Sequence, residues 1–175
     1  MRNIILLIVS LFLINCQQIP EQETPKPKQV KNTEAKEIVT GRVINVKDGD
    51  SFTLVDSENK FHEIRLAHVD CPEKKQAFGR KAQLYTFNFT WGKQVTAYVE
   101  SKDRYHRKIC QILVDGNNLN EGIMKAGYAW HFKKYSKSSL FNSLELLARD
   151  QKVGLWADAQ AKAPWEFRKR KPAKK

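Results

Sequence analysis

Cysteine is scarce in this sequence. The 175 residues hold three, at positions 16, 71 and 110, and no Cys-x-x-Cys or His-x-x-x-His spacing accompanies them. Nothing here supports a structural zinc site, which needs several such ligands at short intervals. Long apolar runs are missing too. The stretch from Ile4 to Ile14, behind the basic Arg2, falls short of the roughly 20 residues that a membrane-crossing helix needs. It reads instead as a secretory signal. There is no internal repeat, and the strand–helix–strand rhythm that a parallel sheet requires is absent. Acidic residues are in deficit: nineteen Asp and Glu face thirty-one Lys and Arg, a net charge of +12. That balance favours polyanionic partners, whether nucleic acid, anionic membrane or cell-wall polymer, without choosing among them.

What is present divides the chain into four stretches. Residues 1–15 are the expected signal peptide. Leu13-Ile14-Asn15-Cys16 resembles the lipobox of bacterial lipoproteins, which makes Cys16 the expected lipidation site and residues 16–37 an anchor followed by a linker. That linker is polar, contains prolines 20, 25 and 27, and has too little apolar surface to offset the entropy lost on ordering. The expectation is an exported protein, a cell-surface or periplasm-facing membrane lipoprotein, otherwise secreted. Residues 38–158 form the folded domain, and 159–175 a basic tail expected to be unstructured.

Within the domain, two β-branched runs around Lys47-Asp-Gly-Asp50 predict a hairpin, and Phe61 to Val69 a third strand stopped by Pro72. Phe78, Ala82, Tyr85 and Phe89 mark a helical stripe. Gln94 to Glu100 and Arg107 to Val114 predict a second hairpin. Asn120 is the expected cap of a short helix ending at Gly127. Leu140, Leu144, Leu147 and Ala148 mark a last helix, after which Trp156 packs the closing segment. Cys71 and Cys110 can pair in an exported protein, but two unpaired thiols is the favoured reading. The fold class expected is α+β, mainly β: a five-stranded OB-fold Greek-key barrel with three helices.

Charge sits where strands should bury surface. Arg65 interrupts an apolar strand and needs an anionic partner if it points inward. Asp50 opens the second strand and Asp70 closes the third, and together they can make a hard-oxygen site suited to Ca2+. Arg65 and Arg107 then suit the grip on phosphate oxygens, and Glu73 the handling of a water. Taken singly, each has a plainer reading: Asp50 and Asp70 as turn and strand-end residues, Arg107 as a solvated loop charge.

Val46-Lys-Asp-Gly-Asp-Ser51, Ile64-Arg-Leu-Ala-His-Val-Asp-Cys-Pro-Glu73, Phe78-Gly-x-x-Ala82, Asp103-Arg-Tyr-His-Arg107 and Gly154-Leu-Trp156 follow one another in an order that resembles the staphylococcal nuclease (thermonuclease) family, over about residues 38–158. The resemblance implies an endonuclease that uses Ca2+, hydrolyses phosphodiester bonds of DNA and RNA and leaves 3′-phosphate ends. It places Asp50, Asp70 and the carbonyl of Cys71 on the metal, and makes Arg65, Arg107 and Glu73 the catalytic residues. Arg104, Tyr105 and Tyr135 fall on substrate-binding positions. His106 stands where the family usually has glycine, His68 replaces a small or apolar residue, and Lys133 aligns with a substrate-facing tyrosine. The partners implied are DNA and RNA substrate, and a membrane through Cys16. The rival reading is a non-catalytic OB-fold module that binds nucleic acid or anionic polymer.

Overall fold

The structure, a computed structural model, describes residues 37–169. The expectations for the signal peptide, Cys16, the linker and the last six residues lie outside the described residues. Five strands close a barrel: β1 (Glu37–Asp48), β2 (Ser51–Asp56), β3 (Phe61–Leu66), β5 (Val95–Lys102) and β6 (Lys108–Val114). Their order is β3-β2-β1-β5-β6, and a parallel β3–β6 pairing of Ile64, Arg65 and Leu66 with Lys108, Ile109 and Cys110 shuts the ring. β1 serves two neighbours. Its first residues pair with β5 and its remainder with β2, and register shifts between Val43 and Asn45 and between Val46 and Asp48 bend it around the corner.

Alternation decides what faces inward. Val39 and Val43 of β1, Val95, Ala97 and Val99 of β5, and Cys110, Ile112 and Val114 of β6 are buried, together with Phe52, Leu54, Ile64 and Leu66. Around this core lie α1 (Gly79–Thr90), α2 (Leu119–Lys125) and α3 (Ser139–Asp150), and α2 and α3 contribute Leu119, Ile123, Met124, Phe141 and Leu144 to it. A satellite cluster of Ala148, Leu155 and Trp156 lies beside it, with Trp130 edge-on to Trp156 at 4.4 Å. Cys71 and Cys110 are free and buried.

Four details depart from the sequence reading. The third strand is not continuous to Val69. His68 takes φ 67°, which ends β3 at Leu66, and Val69–Asp70 becomes β4, paired antiparallel with β8 (Trp130–His131). The cap of α2 is Asn118, which follows Asn117 in the two-residue strand β7 and accepts from the Glu121 amide at 3.1 Å. Asn120 is wholly buried instead. It accepts from the Ile112 amide and donates to the carbonyls of Ala67 and Cys110, each at 3.0 Å. These groups lie where the β3–β6 ladder runs out, and a buried amide side chain replaces the missing rungs. The last helix, Ser139–Asp150, buries Leu144 and Ala148 of the expected stripe but leaves Leu140 and Leu147 exposed, and Lys152 then turns the chain with φ 52°. Finally, the tail is not wholly irregular: Pro164–Lys169 forms a helix, α4, opened by proline at its first position.

Candidate active site

The site is built at the end of the barrel where β2 starts and β4 stops. Asp50 sits in the tight turn after β1, and α1 holds that turn. Thr86 donates its hydroxyl hydrogen to the Gly49 carbonyl at 2.5 Å, and Gln83 donates to the Val46 carbonyl at 2.8 Å. The approach is close enough that a Cβ on Gly49 would lie 2.6 Å from the Ala82 Cβ and 2.9 Å from the Cys71 Sγ. Only glycine fits between helix and strand there.

Arg65, projecting from β3, bridges the two carboxylates. Its Nη2 donates to Asp70 Oδ1 at 2.8 Å, and its Nη1 forms an ion pair with Asp50 Oδ2 without the alignment of a hydrogen bond. The expectation that Arg65 points inward and meets an anion is met twice over. Asp50 is 5% exposed and Asp70 1%. Asp50 also accepts from the Cys71 amide at 2.6 Å and from the Ser51 hydroxyl at 3.0 Å. Burial alone would push the Asp50 carboxyl up, but the Arg65 guanidinium and these donors outweigh it and hold the group below the ordinary carboxylate value. Asp70 goes the other way: burial and then the Asp50 charge raise it, against the pull of Arg168 and Arg65. Asp48, whose Oδ1 accepts from the Asp50 amide at 3.2 Å, is pushed up to about 7 by burial and by the charge on Asp50.

Glu73 lies just beyond Pro72, half-buried at the rim. Its backbone is pinned by α1, since a Cβ on Gly79 would fall 2.0 Å from the Glu73 carbonyl oxygen. Its side chain accepts from Arg168 Nη1 at 2.8 Å. Arg168 was absent from the sequence-derived site, because residues 159–175 read as a basic tail. The available signal was Pro164 followed by Trp165 and Arg168 one helical turn apart.

Arg107 is held apart from this cluster. Within the β5–β6 loop its Nε donates to Asp103 Oδ2 at 2.8 Å, while Asp103 Oδ1 accepts from the amides of Tyr105 and Arg107 at 2.9 and 3.0 Å. Asp103 therefore ties the loop into a tight turn that presents Arg107. His106 adopts φ 62°, so the position does demand the left-handed conformation, and histidine takes it in place of glycine. The exposed Tyr105 carries Arg104 over its ring at 4.8 Å and accepts from Arg104 Nη2 at 2.7 Å. Tyr135, 73% exposed, meets Phe132 edge-on and lines a cavity of about 610 Å³ with Lys133, Lys134, Trp165 and Arg168. Of the residues singled out by sequence, Asp50, Arg65, Asp70, Cys71 and Glu73 are thus gathered. Arg104, Tyr105 and Arg107 share one loop, and Tyr135 lines the cavity that Arg168 joins to the acidic cluster.

Among the described residues no three His, Cys, Asp or Glu side chains are grouped so as to hold a metal ion. A cation at this place would rest on the Asp50 and Asp70 carboxylates, hard oxygen donors of the kind that calcium takes.

Sequence comparison with known proteins points to one family. The model of the family described as staphylococcal nuclease homologue matches residues 63–158. An uncharacterized endonuclease of Escherichia coli O157:H7 is 40% identical over 134 residues, which is 76% of this chain and 87% of that protein. An uncharacterized endonuclease of Haemophilus influenzae is 35% identical over 130 residues, 74% of this chain and 73% of that one. A staphylococcal-like nuclease of Arabidopsis thaliana is 37% identical over 112 residues, 64% of this chain but 35% of the plant protein. With a closed barrel, an arginine-bridged carboxylate pair and relatives matched along most of its length, this chain belongs to the staphylococcal nuclease family.

Proposed function

We propose that this nuclease depends on calcium, cleaves both DNA and RNA, and leaves 3′-phosphate ends. The observation that carries the reading is the buried pair Asp50 and Asp70, spanned by Arg65, with Glu73 immediately beyond. A carboxylate pair of this kind is costly to bury unless cations share it. Arg65 supplies one such cation, and its planar fork of donors suits a phosphate oxygen. Bound calcium would polarise the scissile phosphoryl group. Glu73 would take a proton from the attacking water as the new P–O bond forms and the P–O5′ bond breaks. Arg65 and Arg107 would hold the non-bridging oxygens on which charge develops. For Arg107 to do so it must exchange part of its bond to Asp103 for substrate, which its half-open setting in the loop allows.

Sequence independence belongs to the same proposal, because the surplus of positive charge attracts any phosphate backbone. Denatured DNA or RNA incubated with the protein should be degraded in calcium and remain intact in chelator. The products should resist 3′ extension until treated with phosphatase. Retention of nucleic acid without cleavage in calcium would instead support the binding-module reading.

The expected anchor at Cys16 belongs to the same proposal: a nuclease tethered to a membrane surface by lipid. Inhibiting lipoprotein signal peptidase should accumulate a larger precursor, and an unchanged gel pattern would remove the anchor from the reading.

A further inference from the structure

Helix α4 has no part in the cleavage chemistry above, yet it reaches into the acidic cluster. Trp165 lies almost parallel to Phe132, at 7° and 5.7 Å between centroids, and edge-on to Trp130 at 5.6 Å. Gln76, three residues beyond Glu73, donates to the Lys162 carbonyl at 2.5 Å. One helical turn after Trp165, on the same face, Arg168 spans both acids. Its Nη2 donates to Asp70 Oδ2 at 2.7 Å, and its Nη1 donates to Asp70 Oδ1 at 3.3 Å and to Glu73 Oε1 at 2.8 Å.

This is the fork geometry by which arginine matches a carboxylate. It also uses the oxygens that a calcium ion would need. Oδ1 of Asp70 is shared with Arg65, and Oδ2 is held by Arg168. A divalent ion and a guanidinium on the same carboxylate edge compete for its lone pairs and repel each other at short range. One arginine has to give way, and burial decides which. The Arg65 side chain is 11% exposed and lies within the barrel wall, whereas that of Arg168 is 41% exposed at the end of a short helix. The aromatic contacts of Trp165 keep the guanidinium close by when it lets go, so its effective concentration at the site stays high.

We propose that Arg168 is a built-in competitor for the metal. It neutralises Asp70 and Glu73 while the cation is away and leaves them when calcium binds, so that α4 sets the calcium concentration at which the site assembles. The proposal rests on the calcium reading above.

The test is calorimetric titration of the whole purified protein with calcium, in the absence of nucleic acid. Arg168→Gln should bind calcium on the order of tenfold more tightly, the scale of losing a few charge-assisted hydrogen bonds from the competing state. Trp165→Ala, which loosens α4 without touching a ligand, should shift the affinity in the same direction. Lys169→Gln removes the same charge one residue along and should change it less than twofold. Without calcium the melting temperature of Arg168→Gln should fall below that of the parent, and saturating calcium should abolish the difference. Equal or weaker affinity in Arg168→Gln, an equal gain in Lys169→Gln, or a melting difference that persists in calcium would overturn the competitor role alone. No calcium binding by parent or variant would overturn the metal reading and this one with it.

Discussion

Arg65 and Arg107 share one proposed task, the grip on phosphate oxygens, yet their surroundings assign them different costs of removal. Arg65 is the shared counter-ion of two nearly inaccessible carboxylates. Arg65→Ala leaves Asp50 without its guanidinium and Asp70 with Arg168 alone, and should lower stability by about 3–5 kcal/mol, measured by denaturant unfolding. Arg107 sits in a loop and pairs with the partly exposed Asp103. Arg107→Ala should leave the unfolding midpoint nearly unchanged while lowering the cleavage rate by about 10²–10³-fold, the scale of removing one preorganised donor from a developing charge. If both variants lose activity in proportion to lost stability, the division of roles between the two arginines is wrong. The burial of Arg65 was legible in the sequence, since a charge inside an apolar run has few alternatives. The tie of Arg107 to Asp103 was not, because Asp-Arg-Tyr-His-Arg reads as a solvated loop until its hydrogen bonds are seen.

Elements here are joined by side chains as much as by ladders. Asn120 belongs to α2 but fills the backbone gaps at the β3–β6 closure. Asn120→Leu should cost about 3 kcal/mol, because the Ile112 amide and the Ala67 carbonyl would lose the partner this side chain gives them while the Cys110 carbonyl keeps the Ala67 amide, and no loss in thermal unfolding would contradict this. Asn118→Ala, which removes only the helix cap, should cost about 1 kcal/mol. The sequence reading made Asn120 the cap, and its burial against the barrel closure depends on contacts outside its own segment. The break of the third strand showed only as a slip in alternation, with apolar Ala67 and polar His68 where the pattern of Ile64 and Leu66 predicts the reverse, and the positive φ of His68 goes with contacts far along the chain.

Those contacts form a network across the whole molecule. His68, between β3 and β4, pairs through Nε2 with Glu100 of β5 at 3.0 Å and through Nδ1 with the Ser136 hydroxyl at 3.0 Å. The His131 ring of β8 meets the same hydroxyl at 2.8 Å, and His68 stacks on Phe141 of α3 at 4.8 Å. Burial pushes the Glu100 carboxyl up, but the bonds from His68 and Gln111 outweigh it, so the group titrates below its ordinary value of 4.5. A carboxyl with a depressed folded value stabilises the protein above its unfolded value, and that contribution disappears as pH falls through the folded one. His131, depressed chiefly by burial, acts in the same sense at higher pH: acidification below about 6.5 favours the unfolded chain, which binds the proton more readily. The stabilising contributions of His131 and then of Glu100 should therefore fade in turn as pH falls from 7 to 3, and Glu100→Gln should flatten the lower part of the melting-temperature profile. An unaltered acid limb in that variant would count against the network.

The sequence by itself determined the barrel class, the order of the major elements and most of the acidic and basic cluster. Local alternation, turn residues and a charge lodged in a strand are properties of neighbouring positions, and they survive without tertiary context. Only the tertiary structure decided that Asp50, Arg65 and Asp70 meet in one ion network, that His106 takes a left-handed backbone, and that Arg168 reaches Asp70 from 98 residues away. Those outcomes depend on the β3–β6 closure and on the aromatic packing of Trp165, contacts between segments far apart in the chain, to which periodicity within any one segment is blind.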